Sequence, residues 1–190
     1  MSDSVISGSV EISELETPRL ILRPLEIADA PAVQALFPQW EVVRFLDAVV
    51  PWPYPPDGAA RYIGELALPD MRQGEAWHWS IRPRTAPETL IGAITVRHKP
   101  GDNRGFWLDP SWQGQGLMTE ACEVVTDFWF GALEQPVLRV VKAVANRRSR
   151  RISERSFMRV IDIIERDFVG GRMLAEEWEL TRAEWFRRPR

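Results

Sequence analysis

The hydrophobic period of this chain changes abruptly around Gly116, and that switch constrains the fold more than any other feature of the sequence. Gly105 to Leu108 (GFWL) reads as a short strand, which Asp109-Pro110 ends. After Gly116 the residues Leu117, Ala121, Val124, Phe128 and Ala132 recur at helical spacing, while Glu120, Glu123 and Asp127 mark a polar face. A strand therefore passes into a long helix through a glycine loop. Gly114 and Gly116 let that loop turn tightly and approach a ligand closely. The first N–H groups of the helix and its positive dipole end point into the loop, an arrangement that suits phosphate oxygens. Two glycines alone are more often part of a connection that binds nothing.

Two common phosphate motifs are excluded by single residues. A nucleoside-triphosphate loop needs Lys after its last glycine, and Leu117 follows Gly116. A dinucleotide loop needs a third glycine where Thr119 stands, and it opens a first βαβ unit. Here a run of strands precedes the loop.

Those strands are Leu20 to Leu25, Ala76 to Arg82 (AWHWSIR), Leu90 to Val96 (LIGAITV) and GFWL, with a turn at Asp102-Asn103. Alternation puts Trp77 and Trp79 on one face of AWHWSIR and Ala76, His78 and Ser80 on the other. Asp29 is placed to cap a helix with Pro31 in its first turn, and a second short helix fits Gln39 to Phe45. Val50 to Pro56 (VPWPYPP) is a rigid loop that displays Trp52 and Tyr54, either a plain linker or a wall of a substrate site. A helix follows from Asp57 to about Met71. Beyond Gln135-Pro136 come a strand at Val137 to Val144, a charged helix from Arg147 to about Ser156, a hairpin turning at Gly170-Gly171 and a short terminal helix. A meander followed by strand and helix in alternation indicates an α/β (α+β) domain with a mixed sheet. Residues 1–15 read as a flexible N-terminal arm and 16–190 as a single domain.

Composition narrows the function. A net charge of −3 does not suit a nucleic-acid binder, and the basic run Arg147 to Arg155 lacks interleaved aromatics. It reads as a solvated helix face, or as guanidinium groups placed for a phosphate. The single cysteine, Cys122, rules out an intrachain disulfide and cannot build a zinc site alone. No apolar run approaches the roughly 18 residues of a membrane span, and no signal-peptide pattern opens the chain. A cytoplasmic protein without metal or membrane partner is expected.

The string Trp112-Gln113-Gly114-Gln115-Gly116-Leu117-Met118-Thr119-Glu120-Ala121 resembles the pyrophosphate signature Q/R-x-x-G-x-G/A of the GNAT acetyltransferases, in the form used by the RimJ/RimL-type ribosomal-protein N-terminal acetyltransferases. Thr17 to Leu25, LIGAITV with GFWLDP, and Asn146 to Arg155 resemble further segments of that branch, in order. Met118 replaces a small residue of the signature, and Phe157 stands where the family has glycine, which is expected to narrow the acetyl end of the site.

The resemblance implies a GNAT fold: a mostly antiparallel sheet of about seven strands flanked by helices, with a splayed strand pair that takes acetyl-CoA. It implies cofactor contacts from Leu108, Gln113, Gly114, Gln115, Gly116, Met118, Thr119, Asn146 and Ser149, and a backbone N–H that steadies the oxyanion. The acceptor is then a primary amine, on a protein N-terminus or a small molecule; an acyl-CoA-binding module without turnover is the other reading. Trp52 and Tyr54 are candidate acceptor contacts. The tyrosine that many relatives use as an acid is absent, which leaves Ser149 as its substitute by position or as a plain helix cap. His98 and His78 are the histidines open to a base role. Without a strong base an α-amine is the easier acceptor. About 10% of it is neutral near pH 7, against under roughly 0.1% of a lysine side chain. A monomer or homodimer is expected.

Overall fold

The computed structural model describes residues 12–188. The chain runs through β1 (Leu15–Glu16), β2 (Leu20–Pro24), α1 (Ala30–Leu36), α2 (Trp40–Val43) and α3 (Gly58–Arg61). A wider π-turned stretch, Tyr62–Ala67, joins α3 to α4 (Leu68–Gln73). There follow β3 (Ala76–Pro83), β4 (Gly92–Arg97), β5 (Arg104–Leu108), α5 (Leu117–Gly131), β6 (Val137–Ala143), α6 (Arg147–Arg155), β7 (Arg159–Phe168), β8 (Gly171–Thr181) and α7 (Arg182–Arg187). The strands form two antiparallel sheets, in the orders β1-β2-β3-β4-β5 and β6-β8-β7. The expected splay is thus wide enough to divide the sheet.

Period-two alternation on β3 explains the layering. Trp77 and Trp79 face α5 and meet Phe128 edge-on, at ring-centroid distances of 6.0 and 5.1 Å. Leu117, Ala121, Cys122, Val125 and Trp129 of α5 complete this core. On the other face a second cluster packs Leu25, Val33, Phe37, Val43, Ala59 and Ile63. With helices on both sides, every residue of β3 is buried. Each large apolar side chain enclosed in this way contributes about 1.5–3 kcal/mol.

Three sequence expectations change. The arm expected over 1–15 lies outside the described residues as far as residue 11, but its last part is bound. Ile12 packs on the core, the Trp79 Nε1–H donates to the Ser13 carbonyl at 2.9 Å, and Leu15–Glu16 pairs with β2. Asp29 does not cap α1 with its side chain. Its carboxylate accepts from the Glu26 N–H at 3.1 Å and forms a buried ion pair with Arg82, because an unpaired guanidinium on β3 would be costly to bury.

The third concerns Phe157, just beyond α6 at a left-handed φ of 60°. The Met158 N–H closes the helix end onto the Ser153 carbonyl at 3.1 Å, a geometry that ordinarily selects glycine. The Phe157 ring is 59% exposed and lies outside the central cleft, so it narrows nothing. The substitution acts on backbone strain alone. Phe157→Gly is expected to raise stability by about 1 kcal/mol, read as a higher denaturant midpoint with an unchanged slope.

Candidate functional site

The site begins where β5 ends. Asp109 caps a short turn over Pro110–Trp112 by accepting from the Ser111 N–H at 2.9 Å, and it takes a second bond from Gln39 Nε2 at 3.0 Å. Gly114 and Gly116 then adopt φ of 80° and 81°, and Gly116 caps α5 in the left-handed region. The first intrahelical acceptor is the Gly116 carbonyl, which receives the Glu120 N–H at 3.1 Å. The N–H groups of Leu117 to Thr119 therefore have no partner within the helix and stand at the mouth of the cleft. Arg147, Arg148, Arg151 and Arg155 of α6 line the same mouth, which gives it a positive rim.

Behind the mouth, β5 and β6 part into a V. They meet at one end only, where the Asn103 N–H donates to the Arg139 carbonyl at 2.7 Å and the Arg139 N–H returns to Asn103 Oδ1 at 2.8 Å. The cleft is continuous from the glycine loop through the V to the face covered by α1 to α4, with a volume of about 1320 Å³. A gap of this kind admits a narrow chain that carries amide groups, with phosphates at the helix start and apolar walls from Phe106, Leu108 and Ile152. Among the described residues no group of His, Cys, Asp and Glu could hold a metal ion.

Of the expected cofactor residues, Leu108, Gln113, Gly114, Gly116, Met118, Thr119, Asn146 and Ser149 all line the cleft. Gln113 is a strut: its Nε2 donates to the Leu108 carbonyl at 2.8 Å and its Oε1 accepts from Arg148 at 2.6 Å. The Leu108 carbonyl is thereby taken within the protein. Met118 is 7% exposed and belongs to the hydrophobic core beneath the loop, which explains why a long side chain is tolerated there. Asn146, not Ser149, caps α6, accepting the Ser149 N–H at 3.2 Å. Ser149 is 7% exposed and lines the cleft.

Three expected contacts fall elsewhere. The side chain of Gln115 turns back to the Ser111 carbonyl, while Arg19 holds its backbone carbonyl at 2.9 Å, so it does not line the cleft. Trp52 leans on Trp40 outside it, the two rings tilted at 46° and 5.6 Å apart. His98 is exposed against Trp77 and Trp129, in a small depression apart from the cleft, because alternation puts it on the face of Ile94 and Val96, opposite the Ala93, Thr95 and Arg97 that line the cleft. Tyr54 does line the cleft, edge-on to Phe37 at 5.0 Å, and burial followed by the neighbouring Tyr62 raises its hydroxyl to about 12.

The structure adds a polar group that the sequence does not bring together. His78 on β3 is 3% exposed, not solvent-facing, and lines the cleft. Its Nδ1 lies 2.8 Å from Thr95 Oγ1 and 3.3 Å from the Tyr62 hydroxyl, while its buried Nε2 has no partner. Burial, and then the charge of Arg97, lowers its pKa from 6.5 to about 4. His78 is therefore neutral at pH 7 and a weak base. The unfolded chain binds this proton below 6.5 and the folded chain only near 4, so acidification through this window favours unfolding. His78→Asn should lose about 3 kcal/mol less stability than the parent between pH 7 and pH 4, measured by urea unfolding at each pH.

Both the sequence and the fold are matched in known proteins. YdaF of Bacillus subtilis (strain 168), assigned as a ribosomal N-acetyltransferase, is 28% identical over 129 residues, which are 60% of this chain and 70% of that protein. The solved structure of the Vibrio fischeri ribosomal-protein-S5-alanine acetyltransferase superposes with a TM-score of 0.77 at 16% identity, covering 94% of this chain and 100% of the other. RimL, a ribosomal L7/L12 alpha-N-protein acetyltransferase in complex with coenzyme A, gives 0.75 at 17% identity, covering 89% and 98%. At these identities the structures share the fold. The family model described as "Acetyltransferase (GNAT) domain" matches residues 19–159, most of the chain, and the protein belongs to the GNAT acetyltransferases.

Proposed function

We propose that this chain transfers the acetyl group of acetyl-CoA to the α-amine of a protein or peptide, by direct attack while donor and acceptor share the cleft. The observation that carries the reading is the continuity of the cleft from the α5 N-terminus, through the V, to the side lined by Phe37, Tyr54 and Trp107. The donor supplies an acyl group activated as a thioester. The N–H groups of Leu117 to Thr119 and the α6 guanidiniums hold its phosphates. A backbone N–H on β5 stabilises the oxyanion as the amine attacks.

Ser149, buried in the cleft at the start of α6, donates a proton to the departing sulfur. A thiol has a pKa of about 8.5, so this acid has a modest task. On the amine side neither His78, lowered to about 4, nor Tyr54, raised to about 12, is matched to accept a proton at neutral pH. That supports an acceptor which is partly neutral unaided, as α-amines are. YdaF and RimL are named for ribosomal or α-N-protein acetylation, which supports the same acceptor class and action in the cytoplasm.

Thiol release with acetyl-CoA tests the proposal. Near pH 7 a lysine-free peptide with a free α-amine should react about 100-fold faster than an α-blocked peptide containing lysine. A preference for lysine overturns the α-amine assignment, and acetyl-CoA binding without thiol release from any amine overturns turnover. Ser149→Ala should lower kcat by roughly 100-fold. An unchanged kcat assigns Ser149 to packing.

A further inference from the structure

The closed end of the V contains two buried cations that the transfer of an acetyl group does not use. Arg104 on β5 is 1% exposed and Lys142 on β6 is 8% exposed, and both line the cleft. Arg104 donates to Thr126 Oγ1 at 2.7 Å and leans on Met158 Sδ at 3.9 Å, while its Nε is buried with no partner. The Lys142 ammonium lies 4.5 Å over the Phe106 ring. Neither forms an ion pair among the described residues.

The carboxylates nearby are already engaged. Asp102 faces Arg97 at 3.2 Å and Arg166 at 3.4 Å, and Asp47 faces Arg166 at 2.5 Å and Lys99 at 3.3 Å. Glu176, opposite Lys142 on β8, is held by Arg150 at 2.7 Å, so none of these carboxylates is left to pair with Arg104 or Lys142. Burial, followed by the like charge of Arg104, pushes Lys142 down to about 8. Cys122 does not supply the missing anion, because burial raises its thiol. Proteins seldom bury such charge without a counter-ion, since the uncompensated cost is several kcal/mol per ion. A donor, unlike the fold itself, can bring one.

The reach fits. The pantetheine arm of CoA is about as long as four or five extended residues, roughly 15 Å. The step from Leu108 beside the glycine loop to Arg104 is four residues down β5. An arm that leaves its phosphates at the α5 N-terminus and follows β5 therefore brings its sulfur towards the level of Arg104 and Lys142.

We propose that the closed end of the cleft binds the carboxylate of a short dicarboxylic acyl chain, so that the protein uses succinyl-type CoA thioesters in addition to acetyl-CoA. This rests on the reading that the cleft holds a CoA thioester. In the transfer the amine nitrogen forms the amide bond as the C–S bond breaks, the amine proton ends on the departing sulfur, and the distal carboxylate is unchanged. Arg104 and Lys142 hold that carboxylate and so select the donor.

Calorimetry at pH 7.5 on the full chain, with CoA, acetyl-CoA, butyryl-CoA and succinyl-CoA, tests this. Succinyl-CoA should bind at least about tenfold tighter than butyryl-CoA, which has the same chain length without the charge. Lys142→Met should bring that ratio close to one, and Lys142→Arg should keep it. Because each ratio compares two ligands on the same variant, a general loss of stability does not mimic the result. Succinyl-CoA binding no tighter than butyryl-CoA, or a ratio untouched in Lys142→Met, overturns the proposal. Failure of CoA itself to bind instead overturns the assignment of the cleft, and this inference with it.

Discussion

Asn103 is the hinge on which the architecture depends. Its backbone and side chain together tie β5 to Arg139 of β6, while its Nδ2 donates to the Lys99 carbonyl at 2.9 Å and so holds the β4–β5 turn. One residue thus closes the V and holds both strands at that end. Beyond it the two strands have no ladder between them. Across the gap the Leu108 carbonyl is taken by Gln113 and the Val141 N–H by Asp102 Oδ1 at 3.4 Å, side chains in place of a ladder, because such groups need partners. A sheet broken at one edge is poorly stable unless something occupies the break, which is why a groove of this shape suits a ligand that pairs like an added strand.

The rest of the site is built around that opening. Gln113 braces the end of β5 against α6 through Arg148, which links the glycine loop to the start of α6. Arg19 joins the loop to β2 by pairing with Glu120 at 2.7 Å and by holding the Gln115 carbonyl. The N–H groups at the start of α5 are therefore fixed before any anion arrives, which lowers the ordering cost of binding. On the side of the cleft covered by α1 to α4, Gly58 lies so close to the Tyr54 ring that a Cβ there would sit 2.7 Å from it. The proline-rich loop is packed at that point, and its two aromatics part company: Tyr54 lines the cleft and Trp52 faces Trp40.

What could be read in the sequence was local. Gly114, Gly116 and the helical spacing after Leu117 specify a loop and a helix start within one short segment, because positive φ and a 3.6-residue period are properties of neighbouring residues. Asn146 and Ser149 were legible through an ordered string, and both reach the cleft. For His98 the sequence leaves a cleft position and a plain surface position open, and the structure has the surface one. Gln115 turns its side chain away from the cleft that Gly114 and Gly116 line, because a residue between two positive-φ glycines need not share their direction.

The sequence by itself determined the two periods, the glycine loop between them and hence the helix start that opens one end of the cleft. Only the tertiary structure decided what shares the cleft. Tyr62, His78 and Thr95 come from a π-turned helix and two strands, and they meet because β3 is covered on both faces. Arg104 and Lys142 are far apart in the chain and become neighbours at the bottom of the V because Asn103 closes it. Charge in a sequence carries no record of whether its partner is present, since burial and counter-ions are set by packing across elements. The glycine-loop end of the cleft was therefore written locally, and the character of its closed end emerged only on folding.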